Sequence, residues 1–314
     1  MNNILDRILP ILKKNQEIEQ RSDLWNWCKD HHDQVEINEA NLENMANTNL
    51  VWGFFGGTVS GDNYDTIVKL AQAVGVIGIQ NPENPEGTSR HWPKENQQGK
   101  SADELLDLIQ TKLPFKIDLP MFVGGRTSLQ TKYGIITDRH CHYLYIMKRI
   151  VELFPDRNTR IVEIGAGLGL LGYFLDKAGY NDYTTFDLSH ANACQAYFLS
   201  RNLPKRGMIL SGERMNPAFI DFNNAFKILH STDFIPGLRY DLMINIDGLT
   251  EMIPDEAGKY FNSDCAPLLL SINHEINDYR VCEIDPQEKV RKRIYRYPFW
   301  LRGGYVEELF ELKT

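Results

Sequence analysis

Apolar positions along this 314-residue chain recur with two different periods, and the change comes near residue 150. Before it, long polar stretches surround isolated segments of helical spacing. Tyr64 to Ala73 ("YDTIVKLAQA") carries apolar residues every three or four positions. Ser101 to Leu113 begins with Ser101 and has Glu104 three residues on, the signature of a capping box. Thr137 to Leu153 repeats the helical pattern through Tyr143, Ile146, Met147, Ile150 and Val151. The intervening "GFFGGTVSG" (53–61) and "NPENPEGTSRHWPKENQQ" (81–98) read as loops.

After residue 150, short apolar runs alternate with helical segments. Strands are expected at Arg160 to Ile164, Tyr183 to Phe186, Phe226 to Leu229, Asp241 to Ile246 and Leu268 to Ile272. Helices are expected from Gly167 to Ala178, from Ser189 to about Arg201, and from Pro254 onward. Beyond the Gly303-Gly304 turn, "YVEELFEL" alternates partly as a strand. This alternation predicts an α/β fold, a mostly parallel sheet covered by helices on both faces. The division that follows is a mostly helical addition over 1–150 and a doubly wound domain over 151–314.

Composition narrows the function. Net charge is −8, which argues against a nucleic-acid-coating protein. The five cysteines are odd in number, widely spaced and without a C-x-x-C. Neither a disulfide framework nor a zinc knuckle is indicated, and a cytoplasmic home is the expectation. The N-terminal "MNNILDRILPILKK" is interrupted by Asp6, Arg7 and Pro10, unlike a signal peptide. No window approaches the ~20 apolar residues of a membrane span.

The candidate chemistry centres on "RIVEIGAGLGLLGYFL" (160–175). Gly167, Gly169 and Gly172 spell a literal G-x-G-x-x-G, which would suit a dinucleotide. That register places Gly165 inside the strand, where glycine is unfavourable. Starting at Gly165 instead puts Leu170 where the third glycine should be. A different ligand fits better. Glu163 sits near the end of an apolar strand, and Asp187 ends the next one, where it can accept from both hydroxyls of a ribose. S-adenosylmethionine has a ribose and a cationic tail, and no pyrophosphate.

"VEIGAGLG" followed by "FDLS" resembles motif I and the acidic position after it in class I S-adenosylmethionine-dependent methyltransferases. With "YDLMINIDGLTEM" (240–252), the run resembles more narrowly the sugar O-methyltransferases of bacterial glycan gene clusters. The resemblance covers roughly 150–314. Asn245, Glu251 and Met252 match that group, whereas Gly248 stands where serine is frequent. It implies a Rossmann-like seven-stranded sheet and S-adenosyl-L-methionine as cofactor. Glu163, Gly165, Ala166, Gly167 and Leu168 would wrap the methionine moiety, and Asp187 would hold the ribose with Leu188 beside the adenine. Thr232 and Asp233 would sit at the adenine rim, and Asn245 and Ile246 near the sulfonium.

Methylating a hydroxyl needs a general base within hydrogen-bond reach. The candidates are His274 first, then Glu251 and Asp247, all expected beyond strand ends. His140 and His142 in "DRHCH" suggest a metal, but on a helix they point to different faces, and no metal is expected. His142, Arg126 and Tyr133, the latter two within "GGRTSLQTKYG" (124–134), and Arg293, within the basic and aromatic 280–300 stretch, are candidate acceptor contacts. The 124–134 segment reads as a lid or as a plain connection. Expected partners are a sugar or sugar-nucleotide acceptor and, as an open alternative, a second copy in a homodimer, with no nucleic acid. Competing readings are a nicotinamide-dependent sugar oxidoreductase or epimerase, a methyltransferase of a non-sugar molecule, and a non-catalytic adenosyl-binding protein. The chain has no Tyr-x-x-x-Lys pair, which counts against the commonest sugar dehydrogenases.

Overall fold

A computed structural model describes residues 4–51, 63–79, 100–121, 128–213, 225–235 and 237–313. The described residues up to Leu153 form mostly helices: α1 (Ile4–Gln16), α2 (Asp23–His32), α3 (Glu39–Glu43), α4 (Asn63–Ala73), α5 (Ala102–Gln110) and α6 (Asp138–Leu153). Ser101 and Glu104 form the capping box of α5. The exception is a small hairpin, β1 (Leu129–Thr131) and β2 (Gly134–Ile136), which falls where a lid or connection was anticipated.

The remainder builds one eight-stranded sheet from β3 (Ile161–Ile164), β4 (Tyr183–Asp187), β5 (Gly207–Leu210), β6 (Ala225–His230), β7 (Leu242–Ile246), β8 (Leu268–His274), β9 (Arg291–Pro298) and β10 (Tyr305–Leu312). Its order is β5-β6-β4-β3-β7-β8-β10-β9. β5 to β8 and the two central strands pair in parallel, while β10 runs antiparallel to both neighbours. The resemblance implied seven strands, and the sequence pattern placed six of the eight. β5, a four-residue edge strand, is too short to produce a periodic signal. β9 was hidden in the charged "RKRIYRYP", because an edge strand tolerates polar residues on both faces.

β3 is buried along its whole length, since helices cover both faces of a parallel sheet. Those helices are α7 (Leu170–Lys177), α8 (Ser189–Asn202) and α9 (Pro254–Phe261). The chain passes from β3 to β4 on one side and reaches β7 on the other, so the order reverses at β3. A crevice opens beyond the carboxyl ends of the strands at such a switch point.

The N-terminal helices are fastened to this sheet. α1 packs along α8 through Leu5, Ile8 and Leu12. Arg7 makes a two-pronged pair with Glu213, and the Asn15 amide donates to Ser211 at 3.2 Å. Glu19, beyond the end of α1, accepts from the backbone N–H at Ser189 and meets the His230 ring at 3.1 Å. This carries the segment between α1 and α2 over the carboxyl ends of β4 and β6. Among the described residues, no helix is long and apolar enough to cross a membrane.

Candidate functional site

The turn after β3 is shaped by three glycines in the left-handed region, Gly165 (φ +71°), Gly167 (φ +56°) and Gly169 (φ +81°). Side chains rarely adopt these angles. A Cβ at Gly169 would also lie 2.7 Å from the Gln195 side chain, so the turn is pressed against α8. Gly165 donates its N–H to the Phe186 carbonyl at 2.9 Å, tying the turn to the end of β4.

Asp187 follows immediately. Its carboxylate oxygens accept from the backbone N–H groups of Gly167 and Leu188, both at 2.7 Å. Burial raises its pKa to about 6, against the pull of those N–H donors. A carboxylate oxygen has spare lone pairs after one such bond. Asp187 can therefore hold the turn and still accept from a ligand.

Turn and carboxylate face one cavity of about 430 Å³. Small-molecule sites commonly have this volume. Of the residues expected to bind a cofactor, Gly165, Ala166, Gly167, Asp187, Leu188, Thr232 and Ile246 line it. Four others lie behind it. Glu163 is fully buried and accepts from the Tyr183 hydroxyl, leaving Oε1 without a partner. Burial, partly offset by that hydrogen bond, raises its pKa to about 8. Leu168 packs into the core. Asp233 turns away from the cavity and accepts from Ser211 Oγ at 2.6 Å and from the His230 N–H at 3.1 Å. Asn245 is a buried tie. It donates to the Ile164 carbonyl at 2.8 Å and accepts from the Leu249 N–H at 2.9 Å and from Asn273 at 2.8 Å. A Cβ at Gly248 would come within 2.8 Å of its amide nitrogen, which accounts for glycine where serine was expected.

Two of the three expected catalytic side chains also line the cavity. Asp247 sits just past β7 in the left-handed region at φ +58°, a conformation unusual for a non-glycine. Its Oδ2 accepts from Arg302 at 2.6 Å and its Oδ1 from the Tyr305 hydroxyl at 2.7 Å, with Arg139 3.6 Å from Oδ2. Burial alone would raise its pKa, but the two guanidinium groups prevail and hold it below the ordinary carboxylate value. Glu251 behaves in the opposite way. Burial, then the negative charge on Asp247, raises its pKa to about 8, and the Trp25 indole hydrogen-bonds to it. Two carboxyl groups in one cavity are thus driven apart, one ionised and one protonated at neutral pH.

His274, the first choice of base, is not on the cavity wall. Side chains alternate along a strand. Neighbouring Asn273 points to Asn245, while the His274 ring packs against Tyr305, 4.7 Å between centroids, and accepts from the Ile276 N–H at 3.2 Å. The acceptor contacts read from sequence are likewise elsewhere. The Tyr133 hydroxyl donates to Asp107 at 2.7 Å, and Lys132 bonds the same carboxylate, so the hairpin is clamped onto α5 rather than hung over the cavity. His142 is buried edge-on to Phe299. Arg293 pairs with Glu308 at 3.1 Å on β9. Arg126 lies outside the described residues.

Part of the remaining wall comes from residues the sequence did not flag as site residues, among them Arg21, Ser22 and Trp25 from the α1–α2 segment, and Arg139 and Tyr143 from α6. Arg139 lies inside "DRHCH", where the histidines drew attention instead. His140 folds back to accept from the Thr137 N–H at 2.9 Å. Among the described residues no group of three His, Cys, Asp or Glu side chains is placed to hold a metal.

No protein-family model matches the chain, and no curated protein matches it in sequence. In three dimensions it is similar to the magnesium protoporphyrin IX methyltransferase of Synechocystis PCC 6803 with bound SAM, at 17% identity and TM-score 0.41, over 56% of this chain and 82% of that one. It is similar to a SAM-dependent methyltransferase from Aquifex aeolicus at 13% identity and TM-score 0.37, over 53% of this chain and 88% of that one. It is also similar to the mitomycin 7-O-methyltransferase at 12% identity and TM-score 0.34, over 56% of this chain and 57% of that one.

Proposed function

We propose that this chain is an S-adenosylmethionine-dependent methyltransferase, and within that class an O-methyltransferase of a sugar or sugar-derived hydroxyl. One observation carries the reading: Asp187, at the end of the second central strand, faces the same cavity as the left-handed Gly165-Ala166-Gly167 turn. An acidic side chain at that place suits the ribose hydroxyls of an adenosine-bearing cofactor.

The cofactor would supply an electrophilic methyl group on a sulfonium. This chain's residues would do the rest. Asp187 would orient the ribose and Leu188 the adenine, with Thr232 at its rim. Glu251 is the best-placed base for the acceptor hydroxyl, because a group of pKa about 8 is an effective proton acceptor once ionised. A positive charge in the cavity favours that ionised form. Asp247, already ionised and locked by Arg302 and Tyr305, serves as a fixed counter-charge rather than a base. The sugar assignment rests on the sequence resemblance around Asn245, Glu251 and Met252.

The nicotinamide reading is weakened at Gly167, whose N–H is taken by Asp187 at 2.7 Å rather than offered to a pyrophosphate. Gly172 does not line the cavity, and a Cβ there would sit 2.6 Å from the Tyr183 ring, so that glycine serves packing, as the third glycine of a dinucleotide motif also does. Calorimetry with S-adenosylhomocysteine and NADH separates the two readings. We expect S-adenosylhomocysteine alone to bind, and Asp187→Ala to weaken it about 10- to 100-fold through loss of charge-assisted hydrogen bonds. Absence of binding at millimolar concentration overturns the proposal. Methyl transfer to a panel of sugars and sugar nucleotides, read by mass spectrometry, tests the acceptor class.

A further inference from the structure

The Arg139 guanidinium has five N–H donors and few uses for them. Among the described residues its one polar contact is the 3.6 Å approach to Asp247 Oδ2, too long for a hydrogen bond. Asp247 is already occupied, since Arg302 takes one oxygen at 2.6 Å and Tyr305 the other at 2.7 Å. Arg139 nevertheless lines the cavity, with its side chain 18% exposed. The cluster holds two guanidinium charges against one carboxylate, a net charge of +1. Glu251 beside it is protonated at neutral pH, because burial and Asp247 raise its pKa to about 8. Asp138 adds an attraction from outside the cavity wall. A largely desolvated positive charge with unsaturated donors is costly unless a ligand completes it.

Resting on the reading of this cavity as an adenosyl-cofactor and acceptor site, we propose that Arg139, fixed by Asp247, is a recognition point for a carboxylate. The planar fork matches two carboxylate oxygens. Arg302 contributes by occupying Asp247, which prevents that aspartate from saturating Arg139. The carboxylate has two sources, the amino-acid tail of the cofactor or an acidic acceptor such as a uronic acid.

Titration of wild type and Arg139→Met distinguishes these sources, with circular dichroism to verify folding. The paired probes are S-adenosylhomocysteine against 5′-methylthioadenosine, and D-glucuronate against D-glucose, the sugars added to both free and S-adenosylhomocysteine-loaded protein. Recognition of the cofactor tail predicts a loss of about 10- to 100-fold for S-adenosylhomocysteine and none for methylthioadenosine. Recognition of an acidic acceptor predicts unchanged nucleoside binding and loss of a wild-type preference for glucuronate. If Arg139→Met does not fold, Arg139→Lys keeps the charge without the fork and is expected to lose part of the same preference. Carboxylate preference unaltered by either substitution, or absent from wild type in both pairs, overturns the proposal. Failure of wild type to bind S-adenosylhomocysteine while glucuronate preference persists rejects the cofactor reading alone.

Discussion

Gly172→Ala tests in one substitution whether Gly172 is required by the packing of α7 against Tyr183. Gly172 lies inside α7, where alanine is preferred by roughly 0.5–1 kcal/mol. Against that gain, the new Cβ would sit 2.6 Å from Tyr183 Cε1 and 3.2 Å from Cδ1 and Cζ. Carbon atoms in contact prefer about 3.5–4.0 Å. The ring cannot swing clear, because Tyr183 is fully buried and its hydroxyl is bonded to Glu163. Overpacking of this kind costs roughly 1–3 kcal/mol. The net expectation is a destabilisation of about 1–2 kcal/mol, a fall in Tm of roughly 2–6 °C for a chain of this size. Thermal melting monitored by circular dichroism reads the effect. In a Tyr183→Leu background the clash is gone, and Gly172→Ala should be neutral or stabilising, a coupling within the range seen for touching residues. S-adenosylhomocysteine affinity should stay within about threefold in the single variant, since the mutation costs less than one charge-assisted bond at the ligand. A Gly172→Ala protein that melts at or above wild type refutes the packing account.

Two further outcomes follow from the buried carboxyls. Glu251→Gln should lower methyl transfer by about 10²–10⁴-fold, and wild-type kcat/KM should rise with pH toward a plateau above about 8; a variant with near wild-type turnover excludes Glu251 as the base. Glu163 has a folded pKa raised to about 8 from an unfolded 4.5, so between those values the folded chain holds a proton that the unfolded chain releases. Stability should therefore fall as pH rises across that window, by at most about 1.4 kcal/mol per unit, and Glu163→Gln should flatten the slope; parallel urea-denaturation profiles for the two proteins would sink the assignment.

Much of the cofactor side was readable from local sequence because its chemistry is local. A strand, three glycines and an acidic residue ending the next strand are short-range signals, and they converge in the folded chain. The acceptor side was not. His274 was expected on the cavity wall, yet its ring packs against Tyr305 while neighbouring Asn273 turns inward to Asn245, since a one-residue step along a strand reverses the face. Tyr133 and Arg293 each looked available until Asp107 and Glu308 were found opposite them. Arg139 attracted no notice in "DRHCH", because its partner Asp247, and the Arg302 that shares it, are more than a hundred residues away in the chain.

The sequence by itself determined the alternation of strands and helices, the left-handed glycine turn and the acidic end of β4, since periodicity and backbone sterics act between near neighbours. Only the tertiary structure decided which carboxyls share the cavity and in what state. Glu251 and Asp247, four residues apart, sit on opposite sides of their ordinary pKa because burial and the charge on Asp247 prevail at the one while two arginines prevail at the other. Charge state depends on desolvation and on partners brought from distant segments, and no local pattern encodes either.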